Sequence, residues 1–128
     1  MRVILDTHAL LWWFAGDAHL SKPVRKLIDD ESNEILVSAA SAWEIATKHR
    51  LGKLPEAGSL LEGWEAHLAD QGFLQLPIAA KHALRAGLLP GQHRDPFDRM
   101  LIAQSLSEDA PLVSNERLFD NFGVRRLW

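Results

Sequence analysis

Short apolar runs that stop abruptly at a polar residue, each followed by a stretch with helical patterning, set what this chain can become. Arg2–Leu5 stops at Asp6, Glu34–Ser38 (Glu-Ile-Leu-Val-Ser) leads into Ala39, Phe73–Leu76 stops at Pro77, and Pro111–Ser114 ends at Asn115. Each reads as a buried strand, and Val124–Leu127 reads as a fifth. Helices are expected between them. Thr7–Ala15 stops at Gly16, and Ser21 caps a second helix with Pro23 in its first turn. Ser41 opens a third helix that ends near Gly52, and Leu60–Ala69 and Ala79–Leu88 follow. The last helix opens at Asp95-Pro96 and runs to about Ser107. Strands alternating with helices imply an α/β fold with a mainly parallel sheet. In such sheets ligands bind beyond the carboxyl ends of the strands.

Composition narrows the function classes. With 128 residues, 47% of them hydrophobic, the chain has the length of one compact domain over 1–128 with a real core. It has no cysteine, which excludes disulfides, zinc–thiolate sites and cysteine nucleophiles. The longest apolar run, Ala9–Ala15, is too short to span a bilayer. No secretory signal pattern is visible, so a cytoplasmic protein is expected. The formal net charge of −3 argues against a generic nucleic-acid coat. A carboxylate site whose charge a metal offsets remains compatible with it.

The acids fall where such a site would form. Asp6 follows the first strand, Glu44 lies a short turn into the helix after the second, and Glu116 lies two residues past the fourth. Asp98 sits in the first turn of its helix, with Leu101 and Ile102 on the same face, which puts it at the rim of the apolar stripe. Clustered carboxylates repel one another unless a proton or a metal intervenes. An all-oxygen donor set favours Mg²⁺ or Mn²⁺. Two such ions, about 4 Å apart, suit in-line hydrolysis of a phosphodiester by an activated water.

Each acid also has an ordinary explanation. Asp6 caps a helix, Glu44 pairs with Lys48 on a surface, Asp95 caps the helix that Pro96 begins, Asp98 suits a helix dipole, and Glu116 is an exposed loop acid. Asp95 can serve as both cap and metal site. The histidines show no metal-ligand spacing, and His49 and His93 read as surface residues. Trp12, Trp13, Trp43 and Trp64 read as core or interface. Thr7, Ser38 and Ser114 either hydrogen-bond the acids or end strands. Lys48, Arg50, Lys53, Arg94 and Arg99 form either a phosphate-contacting rim or a solvated face.

Taken together, Val-Ile-Leu-Asp-Thr-His-Ala-Leu-Leu-Trp (3–12), Val-Ser-Ala-Ala-Ser-Ala-Trp-Glu-Ile-Ala (37–46), His-Arg-Asp-Pro-Phe-Asp-Arg-Met-Leu-Ile-Ala-Gln (93–104) and Leu-Val-Ser-Asn-Glu-Arg-Leu-Phe (112–119) resemble PIN-domain ribonucleases of the VapC toxin type. The resemblance covers essentially the whole chain. It implies an α/β/α sandwich, Mg²⁺ or Mn²⁺ held by Asp6, Glu44, Asp98 and Glu116, and endonucleolytic cleavage of RNA. It assigns a less uniform role to Asp95. It also implies a cognate antitoxin and a homodimer, the partners of a type II toxin–antitoxin system. The chain departs from the family at the fourth acid, which is usually Asp with Thr two positions earlier; here these are Glu116 and Ser114.

Two other readings compete. One is a PIN-like module that binds RNA or a partner with impaired catalysis, motivated by Glu116. The other is a phosphatase with a covalent aspartyl intermediate at Asp6. That chemistry typically uses a second Asp two residues on, where this chain has His8.

Overall fold

The computed structural model describes residues 1–128. Five strands form one sheet: β1 (Arg2–Leu5), β2 (Glu34–Ser38), β3 (Leu74–Leu76), β4 (Leu112–Val113) and β5 (Arg126–Leu127). Their order is β3-β2-β1-β4-β5, and every pairing is parallel. The helices are α1 (Thr7–Ala15), α2 (Lys22–Asp29), α3 (Ala39–Arg50), α4 (Gly58–Glu62), α5 (Trp64–Asp70), α6 (Ala80–Leu88) and α7 (Pro96–Ser107).

β1 alternates its side chains between two cores. Val3 and Leu5 join Leu10, Val24, Ile45 and Leu68 on one face. Ile4 joins Leu36, Leu101, Ile102, Leu112 and Phe119 on the other. Successive strand residues point to opposite faces, so a run buried on both sides must be apolar throughout, as Val3–Leu5 is. The result is the expected α/β/α sandwich.

The chain leaves β1 toward β2 and β3, then crosses back to β4 and β5 on its other side. The order therefore reverses at β1, and the crevice beyond its carboxyl end is where a ligand site is expected. The register fixes what meets there. Leu5 pairs with Val37 and with Val113, so the next residues, Asp6, Ser38 and Ser114, emerge side by side.

Local sequence explains most element ends. Asp6, Ser21, Ser38 and Asp95 each accept a first-turn backbone N–H, capping α1, α2, α3 and α7. Gly16 closes α1 at φ 63°, a left-handed conformation that glycine adopts without strain. Five expectations need correction. α3 starts at Ala39 rather than Ser41, because Ser38 ends the strand and caps the helix at once. The helix expected over Leu60–Ala69 is two short helices, α4 and α5, broken at Gly63. β3 begins at Leu74 rather than Phe73, and only Leu112–Val113 and Arg126–Leu127 pair as strands in the last part of the chain. Between those two strands, Arg117–Phe122 turns as a 3-10 helix that seats the buried Phe119.

Candidate active site

Asp6, Thr7, His8, Glu44, Lys48, Asp95, Asp98, Glu116 and Leu118 line one cleft of about 170 Å³ beyond the carboxyl end of β1. All five acids singled out in the sequence meet here, carried by four separate parts of the chain. A larger groove of about 990 Å³ lies alongside, lined by Leu88, Leu89, Leu106, Leu118 and Phe122 among others, and only Leu118 borders both.

Asp6 is 4% exposed. Its Oδ1 accepts the Ala9 N–H at 2.7 Å, so the ordinary capping role is real, and the side chain still lines the cleft. Burial pushes its carboxyl up to about 6, against the Ser114 hydroxyl and the Ala9 amide, which pull it down. Asp98 adds a smaller upward push through its own negative charge.

Glu44 is 5% exposed, not the surface residue that pairing with Lys48 suggests. The pairing itself exists: Lys48 Nζ donates to Oε2 at 2.5 Å. The Thr7 hydroxyl donates to Oε1 at 2.7 Å and lies 3.0 Å from the Ser41 hydroxyl. Thr7 therefore serves the neighbouring helix's acid rather than Asp6.

Asp95 and Asp98 share one helix terminus. Asp95 Oδ1 accepts from the Phe97 and Asp98 amides at 2.9 and 3.1 Å. Asp98 receives His93 Nε2 on Oδ2 at 2.8 Å. Partial burial raises the Asp98 carboxyl, and the charges of Asp95 and Glu44 add to the rise while His93 opposes it. His93 is thus an Asp98 partner and not a free surface residue. Glu116 is exposed, and its backbone N–H donates to Ser114 Oγ at 3.0 Å.

Arg99 and Ser38 hold the frame of the site and touch none of its acids. Arg99 is no phosphate rim: its guanidinium donates to the carbonyls of Ala86, His93, Gly87 and Leu89, tying the end of α6 and the following loop to α7. That grip holds the backbone of His93. Ser38 donates to the fully buried Gln104, whose amide reaches the Pro77 carbonyl at 3.2 Å, so β2, α7 and the chain after β3 are locked together. Trp43 is 55% exposed, with its ring edge-on to Phe97 at 4.7 Å, which excludes the core half of its core-or-interface reading. His49 turns away from the cleft, within 2.7 Å of the Leu54 carbonyl.

The donor set is chemically that of a hard divalent cation: oxygens only, from acids whose mutual repulsion a cation would relieve. As arranged here, no three of these groups are drawn together in the way a bound ion holds its ligands. Protein partners hold one oxygen each of Asp95 and Asp98 and both of Glu44, and Asp6 has the Ala9 amide and the Ser114 hydroxyl.

The family model for the PIN domain matches residues 3–124. The chain belongs to the PIN domain family. Among curated members it is 29% identical over 118 residues to ribonuclease VapC22 of Mycobacterium tuberculosis, spanning 90% of this chain and 87% of that one. Its match to ribonuclease VapC16 of the same organism is 64% identical over only 31 residues, 24% of this chain and 22% of that protein. Two solved PIN-fold structures share the architecture over nearly the full length. VapBC2 of Rickettsia felis, bound to a promoter DNA fragment, superposes with a TM-score of 0.72 at 16% identity, covering 99% of this chain and 98% of that one. FitAcB of Neisseria gonorrhoeae superposes with a TM-score of 0.69 at 16% identity, covering 100% and 97%. At such identities the likeness speaks for the fold.

Proposed function

We propose that this PIN-domain protein is a Mg²⁺- or Mn²⁺-dependent endoribonuclease, the toxin of a type II toxin–antitoxin pair. The observation that carries the proposal is the convergence of Asp6, Glu44, Asp95, Asp98 and Glu116 on one cleft at the switch point of the sheet. The ribonuclease names of the Mycobacterium tuberculosis relatives support the reaction class.

Asp6, Glu44, Asp98 and Glu116 are the residues that would hold the cation. When bound, it supplies an activated water and neutralises charge on the phosphodiester undergoing attack. The chain's own groups do the rest. Thr7 and Ser41 fix the Glu44 carboxylate from behind. Asp95 fixes the first turn of α7 and so aims Asp98. His93 orients Asp98 through its Oδ2. The chain acts as one domain in the cytoplasm, as a homodimer with a small antitoxin partner. No helix is long and apolar enough to cross a membrane. The complexes named VapBC among the structural neighbours support the antitoxin assignment.

The test uses antitoxin-free protein and total cellular RNA, with and without Mg²⁺ or Mn²⁺, beside an Asp98→Asn variant. Discrete cuts that need the metal and vanish in the variant are expected. A second reading, a module that binds RNA without cutting it, is favoured by Glu116, an exposed acid at the position where the family usually has Asp. RNA binding without cleavage under any metal would establish it. Equal cleavage by both proteins would point to a contaminating nuclease.

A further inference from the structure

Glu44 differs from the other acids of the cleft. The partners of Asp6 are the Ala9 amide and the Ser114 hydroxyl, those of Asp95 are amides and that of Asp98 is His93, while Glu44 has the Thr7 hydroxyl on Oε1 and the Lys48 ammonium on Oε2. A carboxylate 5% exposed needs such partners, because an uncompensated buried charge is costly. The two partners are not equivalent. Thr7 is buried, and its hydroxyl is fixed between Glu44 and Ser41. Lys48 reaches the cleft on a flexible four-carbon stem from one turn further along α3, and its side chain is 35% exposed.

On the reading above, Glu44 meets a divalent cation in this cleft. An ammonium 2.5 Å from one Glu44 oxygen would then face a doubly charged ion in a partly desolvated space, and the two repel. Lys48 can leave toward solvent; Thr7 cannot.

We propose that Lys48 is an exchangeable counterion. It neutralises Glu44 while no divalent cation is bound, and it is displaced toward the cleft mouth when one arrives. Metal loading therefore competes with an internal ion pair, and Lys48 lowers the cleft's affinity for the cation. This inference rests on the metal-dependent reading of the site. An ordinary helical Glu–Lys pair at this spacing has both partners in solvent; here the acid is inside and only the cation can move.

The test is calorimetric titration of the free protein with Mn²⁺ at neutral pH, comparing wild type with Lys48→Met and Lys48→Arg. Removing the ammonium leaves Glu44 without its mobile partner, so Lys48→Met should bind Mn²⁺ about tenfold tighter or more, while Lys48→Arg stays near wild type. Equal or weaker binding by a folded Lys48→Met protein overturns the proposal and makes Lys48 a support for Glu44. A measurement on wild type is independent of whether that variant folds. With lysine Cε labelled and Lys48 assigned through Lys48→Arg, saturating Mg²⁺ should move the Lys48 resonance toward those of exposed lysines. A Lys48 resonance unmoved by bound Mg²⁺ also overturns the proposal. Absence of Mn²⁺ binding by every protein would instead bring down the metal-dependent reading itself, and this inference with it.

Discussion

The two ends of α7 each carry an acid, and their carboxyls shift in opposite directions. Asp98 at the N-terminal end is raised, by burial first and by Asp95 and Glu44 after it. Glu108 at the C-terminal end is lowered, chiefly by Lys81, with His82 adding to it. The helix dipole alone would order them the other way, since it favours an anion at the N-terminus and opposes one at the C-terminus. Burial, with like charges beside it, outweighs it at the first end, and the bonds from Lys81 and His82 outweigh it at the second. Glu108 lies 3.1 Å from Lys81 Nζ, 3.4 Å from the buried His82 Nε2 and 3.8 Å from Arg2. His82 Nδ1 accepts the Ala79 N–H, which leaves Nε2 as the donor to Glu108. One end of the helix is a completed set of ion pairs that serves the fold. The other is a set of like charges that the fold tolerates, and that asymmetry is what marks a site built for something not supplied by the chain.

The sharpest way to break this comparison is to neutralise the two acids in turn. Asp98→Asn should abolish metal-dependent RNA cleavage, a fall on the order of 100-fold or more, while leaving stability unchanged or slightly higher because a repelled charge is removed. Cleavage assays beside thermal melts check both halves. If Asp98→Asn instead melts well below wild type, the N-terminal end of α7 is structural like the other.

The next effect is a pH dependence of the metal-free protein. Asp6 binds its proton at about 6 in the folded chain against 3.8 when unperturbed. The folded state thus holds the proton more tightly, and the stability this gives is complete below about pH 4 and lost as pH rises through about 6. The whole change is about 3 kcal/mol for a carboxyl so buried. His8 opposes the shift and Asp98 reinforces it, so Asp98→Asn should make the loss smaller. Denaturant titrations between pH 4 and 7 measure it. Adding Mg²⁺ should flatten the fall by favouring the ionised carboxylate.

How much of this was readable beforehand follows distance along the chain. The strand runs, Asp6 at the end of β1 and the Asp95-Pro96 opening of α7 are local signals, and the helix from Asp95 runs to Ser107 as its pattern indicates. A parallel sheet brings at least three of the acids to one edge. What stayed hidden was set by partners far away. Glu44 is buried because Thr7, 37 positions earlier, comes to lie against it. His93 and Arg99 carry no spacing signal, since one finds its role in a bent loop and the other in carbonyls freed at the end of α6. Gly63 breaks a helical pattern that Leu60, Leu61, Trp64 and Leu68 continue on both sides of it, so apolar periodicity runs through the break.

At the other end of α7, Glu108→Gln should cost about 1 kcal/mol, because solvent still reaches these pairs. Cleavage should be unaffected. The sign of its pH dependence is opposite to that of Asp6: a lowered carboxyl contributes stability above its unfolded value of 4.5, lost as pH falls. The variant should therefore be least different from wild type in acid. A loss of cleavage on Glu108→Gln would mean that the two ends of α7 are coupled through the helix.

The smallest effect concerns Glu116, the one acid of the cleft that is openly exposed. Its backbone is held, through the Ser114 hydroxyl, at the start of the 3-10 turn. Shortening it to Asp withdraws the carboxylate by one methylene without moving that anchor. If Glu116 ligates a cation from the cleft wall, Glu116→Asp should change Mn²⁺ affinity by a few-fold, well under the about 1.4 kcal/mol that a tenfold change represents. Glu116→Gln should weaken Mn²⁺ binding further, and neither variant should shift the melting temperature of the metal-free protein, because an exposed side chain with solvent around it has little to lose. Calorimetry on the pair separates length from charge. A Glu116→Gln protein that binds Mn²⁺ as wild type does would reduce the ligand set to Asp6, Glu44 and Asp98, and would place Glu116 with the exposed charges of the fold rather than with the strained ones at the head of α7.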